Sequence, residues 1–246
     1  MTRSPELEAA IARAGARARE HGWDGPGRDH VVVELLAIPA LREQLQGADL
    51  DLTELASQLS AGLPTLVPTT HDNPTTVAEF LVQLELERDD AVAVMVTPRI
   101  ALGRLLMQPR RFETMLRAHG LVLVDVLYAL AHGVARRDLD RAPPPPPARA
   151  WIPRLWFRRR ERLGTYRVFV HNDDFTTRAA VHETLVDWFD IEPADASSLV
   201  GAVHREGHGV VGLFALDDAA RRIDEATRFA HDRGHPLRFS FEPADD

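Results

Sequence analysis

Five consecutive prolines, Pro143 to Pro147, divide this 246-residue chain. Proline has no backbone N–H and its ring fixes φ, so such a run fits neither a helix interior nor a central strand. It favours an extended, semi-rigid spacer. The apolar residues therefore have to be buried in two separate places, one on each side. Charge follows the same division. Residues 1–134 carry 12 arginines and 18 acids, residues 135–163 carry 9 and 3, and residues 164–246 carry 8 and 16. Two acidic domains on a Pro/Arg-rich linker are expected, and an acidic domain argues against nucleic acid as the main partner of either end.

All 29 basic residues are arginine, and there is no cysteine. A Walker A loop needs lysine to reach the phosphates, so a P-loop motor is excluded, as is Schiff-base chemistry. Thiol nucleophiles, disulfides and cysteine-based zinc sites are excluded too. No apolar run reaches 18 residues, so no integral membrane segment is expected. Met1 to Glu6 lacks an apolar signal core, which makes a cytoplasmic location the expectation.

Residues 1–134 read as all-helical. Ser4 is placed to cap a helix with Pro5 at its first position, and Leu7, Ala10, Ile11, Ala14 and Ala18 follow at helical spacing. Val31 to Ala37 reads as a buried helix. Asp51-Leu52-Thr53-Glu54 reads as a capping box, with Gly62 as the stop. The pattern then recurs. Asn73-Pro74 opens a helix through Val77, Phe80, Leu81 and Leu84. Leu35 to Pro39 matches Leu105 to Pro109 at an offset of 70, and Leu41, Leu45, Leu59 and Gly62 match Phe112, Leu116, Leu130 and Gly133 at 71. Two repeats, about 4–63 and 73–133, are expected to pack as one pseudo-symmetric bundle.

Beyond the linker the pattern changes. Tyr166, Val168 and Val170 alternate as a strand, and helices are expected over Thr177–Phe189 and Glu192–Arg205. Gly209–Ala215 reads as a buried strand. Asp217-Asp218 opens a third helix, which Gly234 and Pro236 end, and Leu237, Phe239 and Phe241 form a last strand. The order βααβαβ predicts a small α+β sandwich.

The chemistry concentrates in His171-Asn172-Asp173-Asp174-Phe175-Thr176. An Asn and two acids before a helix make either a turn with helix capping or a cation site. In the second reading an amide oxygen and carboxylates surround an ammonium group, with His204 as a further contact. Each hydrogen bond to such a charge contributes about 1.5–3 kcal/mol. His204 and His208 at i, i+4 are a weak metal signal, because the acid is misplaced for HExxH and Gly207 ends the helix. A metal-dependent hydrolase is therefore the least favoured class, and no catalytic residue, cofactor or metal is expected.

Residues 165–246 resemble a ClpS-type adaptor, the bacterial N-degron recognition protein. The resemblance is carried by Tyr166-Arg167-Val168, Asn172 to Thr176, Ala202-Val203-His204 with Gly207, Gly212, Gly234 to Leu237, and Glu242-Pro243-Ala244. It implies that Asn172, Asp174 and His204 clamp a free α-amino group and the first peptide unit, with Asp173 supporting the loop or the peptide's second residue. It also implies that Thr176, Arg178, Val181, Val200, Val203 and Leu237 surround the slot for the first side chain. Arg178 and Val200 stand where the family commonly has methionine. Arg178 is therefore expected to point outward or pair with an acid, and the smaller Val200 to leave a deeper slot suited to Phe, Tyr or Trp.

The first 134 residues resemble the double-repeat N-terminal domain of Clp unfoldases of the ClpA/ClpC kind, on which ClpS docks. Asp217 and Arg222 would then lie on the docking face. The implied function is a non-enzymatic adaptor that binds proteins with free, bulky hydrophobic N-termini and delivers them to a Clp AAA+ unfoldase. The alternative is a regulatory decoy, whose Clp-type domain occupies its own or another ClpS-like domain by intramolecular or intermolecular contact.

Overall fold

A computed structural model describes residues 3–65, 77–82, 95–107, 110–135 and 166–244. Residues 136–163 of the linker, including the basic aromatic stretch 151–160, lie outside the described residues, as do Asn73, Pro74 and Leu84. The chain divides into two compact units, Met1–Arg136 and Arg137–Asp246.

The first unit is helical, with α1 (Pro5–Glu20), α2 (Arg28–Leu36), α3 (Pro39–Gly47), α4 (Thr53–Gly62), α5 (residues 77–82), α6 (Pro98–Leu106), α7 (Arg110–Ala118) and α8 (Leu123–His132). α1 begins as the sequence predicts: Ser4 Oγ accepts from Leu7 N–H at 3.2 Å and Pro5 takes the first helical position. The expectation at α4 needs correction. Its N-cap is Leu52, without a side-chain cap, and Asp51 Oδ1 instead accepts from Thr53 N–H at 2.9 Å. An acid two residues upstream satisfies the donor through a local turn, so no reciprocal Glu54 bond forms.

All nine residues of α2 are buried. They include Glu34, which Arg13 and Arg17 both reach at 2.8 Å, so two guanidinium groups share one buried carboxylate. α2 packs against α1, α4 and α6, which explains why its sequence shows an apolar block rather than a stripe. The bounds of α6, α7 and α8 fall 70 or 71 residues after those of α2, α3 and α4. Among the described residues no single helix is long and apolar enough to cross a membrane.

The second unit has the predicted order: β1 (Tyr166–His171), α9 (Arg178–Phe189), α10 (Pro193–Glu206), β2 (His208–Phe214), α11 (Leu216–Asp232) and β3 (Arg238–Pro243). The sheet is antiparallel with order β2-β1-β3. A bulge between Val168 and Phe169 shifts the β1–β2 register by one residue. Alternation sends Val168, Val170, Val211 and Phe239 into the core with Leu185 and Phe189 of α9, Leu199 and Val203 of α10, and Ala226 and Ala230 of α11. The three helices thus share one face of the sheet, and β1 carries its C-terminal end out of the middle of the sheet into the loop at 172–177.

Candidate functional site

The loop after β1 is built around Asp173. Its Oδ1 accepts from the Phe175 and Thr176 N–H groups at 2.8 and 2.6 Å, and its Oδ2 accepts from Thr176 Oγ1 at 2.7 Å. Both oxygens are thereby engaged inside the loop. Burial pushes the Asp173 carboxyl above its ordinary value. The hydrogen bonds from Thr176 and Phe175 act in the opposite direction, and the neighbouring Asp174 adds to the rise. The turn reading made from the sequence therefore holds for Asp173. Of the two roles left open for it, supporting the loop matches its contacts. Thr177 closes the loop by capping α9, its Oγ1 accepting from Ala180 N–H at 3.2 Å.

A second element meets the loop from behind. Gly207 ends α10 in the left-handed region at φ 85°, where a side chain is strained. Its carbonyl accepts from Asn172 N–H at 2.8 Å. This bond ties the last turn of α10, which carries exposed His204, to the start of the loop that carries half-buried Asn172 and Asp174. The three polar residues that the sequence singled out thus stand on two elements joined by a backbone hydrogen bond.

The residues expected to line a slot behave differently. Val181 and Val200 keep 9% and 8% of their surface exposed, whereas Val203 and Leu237 are at 3% and 0%. All four belong to one core cluster, with Val181 and Val200 the least buried of them. Arg178, the first residue of α9, is exposed. Thr176 is half-buried beside Asp173.

Two features escaped sequence reading. Gly209 opposes Val170 in the ladder, and a Cβ on it would lie 2.6 Å from Leu199 Cδ1 and 2.8 Å from Val203 Cγ2. Only glycine lets α10 lie this close to β2; an isolated glycine inside a strand is the available signal. The other is His235. Burial lowers its pKa, partly opposed by the charges of Asp173 and Glu183. Its position beside the loop has no local sequence signature, because α11 and a turn intervene.

The family model for the ATP-dependent Clp protease adaptor protein ClpS matches residues 161–240. The ClpS adapter protein of Clostridium acetobutylicum is 38% identical over 80 residues, 32% of this chain and 79% of that protein. That of Deinococcus radiodurans is 35% identical over 91 residues, 37% of this chain and 72% of that protein. The chain belongs to the ClpS family. A solved structure of Agrobacterium tumefaciens ClpS2 bound to L-phenylalaninamide is 32% identical and covers 34% of this chain and all of that one, with a TM-score of 0.32.

Within the ClpS domain, Asp217 and Arg222, the two residues expected on a docking face, are not equivalent. Asp217 is exposed in the first turn of α11. Arg222 is held by its own domain: its guanidinium reaches Asp190 at 2.9 Å, Asp218 at 3.0 Å and the Trp188 carbonyl at 2.7 Å, and it lies 5.4 Å from the Phe214 ring centre. These contacts brace the C-terminal end of α9 against α11. Among the described residues no group of three or more His, Cys, Asp or Glu is arranged to hold a metal ion.

Proposed function

We propose that this chain is a non-enzymatic Clp protease adaptor of the N-degron class, which binds the free N-termini of cytoplasmic substrates and delivers them to a Clp AAA+ unfoldase. The observation that carries the reading is the Asn172–Gly207 backbone bond, which joins the loop of Asn172 and Asp174 to the helix end of His204. In this reading Asn172, Asp174 and His204 surround the ammonium group. Asp173 holds the loop in shape, and Thr176, Val181, Val200, Val203 and Leu237 receive the first side chain. Acetylation removes the charge that those groups recognise. Each methylene buried in the slot adds about 0.8 kcal/mol, and the small Val200 side chain favours Phe, Tyr or Trp over Leu.

The helical unit is proposed to be a double Clp repeat, the type of platform on which a ClpS domain docks. The 70- or 71-residue spacing of α2–α4 and α6–α8 supports this, and Asp217 is the better candidate for a docking contact than the internally engaged Arg222.

The test is a titration of the full chain with a peptide bearing a free N-terminal Phe and with its acetylated twin. The expected outcome is binding of the free peptide alone, lost in His204→Ala. Equal binding of both peptides overturns the amine clamp. Failure to bind either, together with capture of a separate ClpS protein, indicates the decoy instead. Tighter binding of a Leu peptide than of Phe overturns the assignment of the deeper slot.

A further inference from the structure

The helical unit contains a cleft that nothing in the adaptor reading uses. It has a volume of about 300 Å³ and lies among α2, α3 and α4. Its apolar floor is made by Leu36, Leu45, Leu50 and Leu52. Each keeps 2–8% of its surface exposed, as side chains at the bottom of an open recess do. The rim is polar and cationic. It carries the guanidinium groups of Arg17 and Arg42 and the hydroxyls of Ser57 and Ser60, and no acid lines the cleft. A cationic recess stands out on a stretch whose overall balance is 12 arginines to 18 acids.

The two arginines are set for an anion in different ways. Arg17 is oriented from below, giving one nitrogen to Glu34 at 2.8 Å and another to Ser60 Oγ at 3.3 Å. Glu34 also serves Arg13, so one positive charge of that trio is left unbalanced. Arg42 is exposed and gives one N–H to the Leu36 carbonyl at 3.3 Å, which anchors it above the floor. Asp51 feels its charge but is not part of the lining. Guanidinium groups beside a small apolar recess match a carboxylate attached to an apolar side chain.

We infer that this cleft binds the C-terminal residue of a peptide chain, with the free α-carboxylate on Arg42 and Arg17 and a Leu-sized side chain on the leucine floor. The volume fits one residue rather than a helix or a long extended segment. Both the side chain and the carboxylate belong to that single residue, which fits a chain end and not an internal acidic residue. The assignment is independent of the amine-binding reading of the ClpS domain.

The probes are N-acetyl-leucine, which mimics a C-terminal leucine, and N-acetyl-leucinamide, which lacks the charge. Neither has a free amine, so the site in the ClpS domain is silent to both. The full chain, labelled with nitrogen-15, is titrated to millimolar concentrations of each. The acid is expected to shift the amide resonances of Leu36, Leu45 and Ala56, and to bind about tenfold more tightly than the amide, the difference one charge-assisted contact makes. Arg42→Ala removes that tenfold preference. Ala56→Trp, which fills the cleft wall, abolishes the shifts for both probes. Equal binding of acid and amide, shifts confined to other residues, or no shift in the unmodified chain overturns the inference.

Discussion

Gly209 has no room for a methyl group. In Gly209→Ala the new carbon meets Leu199 and Val203 at under 3 Å, so those two side chains, or α10 that carries them, have to shift. Overpacking of this kind costs about 1–3 kcal/mol. The expected outcome is a lower urea midpoint for the ClpS domain, with weaker N-terminal peptide binding because Val203 belongs to the proposed slot. Wild-type stability would show that the helix adjusts freely. The turn at the candidate site was legible in the sequence because Asn172 to Thr176 are contiguous and local turn chemistry is strong. The supports were not. Gly209 acts by what it leaves empty, His235 comes near Asp173 only through the fold, and the internal contacts of Arg222 depend on the Trp188 carbonyl of α9 and on Asp190 just after it.

Element ends show where side chains carry helices. Gln44 of α3 gives its Nε2 to the Ala129 carbonyl at 2.7 Å and to the Leu130 carbonyl at 3.3 Å, two acceptors in the last turn of α8. The Ala129 carbonyl also accepts from Gly133 N–H at 2.8 Å and the Leu130 carbonyl from Arg99 at 3.5 Å, so Gln44 adds a tie between helices to acceptors already in use. Gln44→Ala is therefore expected to destabilise the helical unit by about 1 kcal/mol, read as a lower denaturation midpoint. Gln44→Glu is expected to be worse, since it sets a carboxylate against carbonyl oxygens. α1 and the helices of the second unit were readable from periodicity and caps because each signal is local, whereas α3 and α6–α8 were covered only by the all-helical reading and the repeat offset. The start of α4 was misread because Asp51 and Thr53 are both good caps, and only the backbone geometry decides between them. α2 is buried on every side, so periodicity identified it only as an apolar block.

At the scale of the whole molecule, each unit has its own core, so denaturation is expected to proceed in two separable steps rather than one. Gly209→Ala should move one transition and Gln44→Ala the other; a joint shift of both would contradict this. Each unit also holds a histidine with a lowered pKa. Burial lowers His30 in α2, helped by the charges of His21 and Arg17, and burial lowers His235 in the ClpS domain. The unfolded chain therefore takes up protons first as pH falls below the ordinary value near 6.5. Stability is full above that value and declines below it. Both transitions should move to lower urea on going from about pH 7.5 to about pH 5.5. His30→Asn and His235→Asn should each flatten the pH slope of their own transition while lowering its midpoint at neutral pH.

The register of the sheet has a mechanical consequence. Tyr166, where the chain enters β1, pairs with Pro243 at the far end of β3, so the first and last pairs of the ClpS fold share one edge. Tension applied between these two points loads the β1–β3 ladder one pair at a time, as a zip opens, instead of shearing all its hydrogen bonds together. The same domain gripped at Tyr166 and at Gly207 would be strained along the strand and would resist far longer. A pulling machine would thus meet a weak direction and a strong one in the same small sheet, set only by where it takes hold.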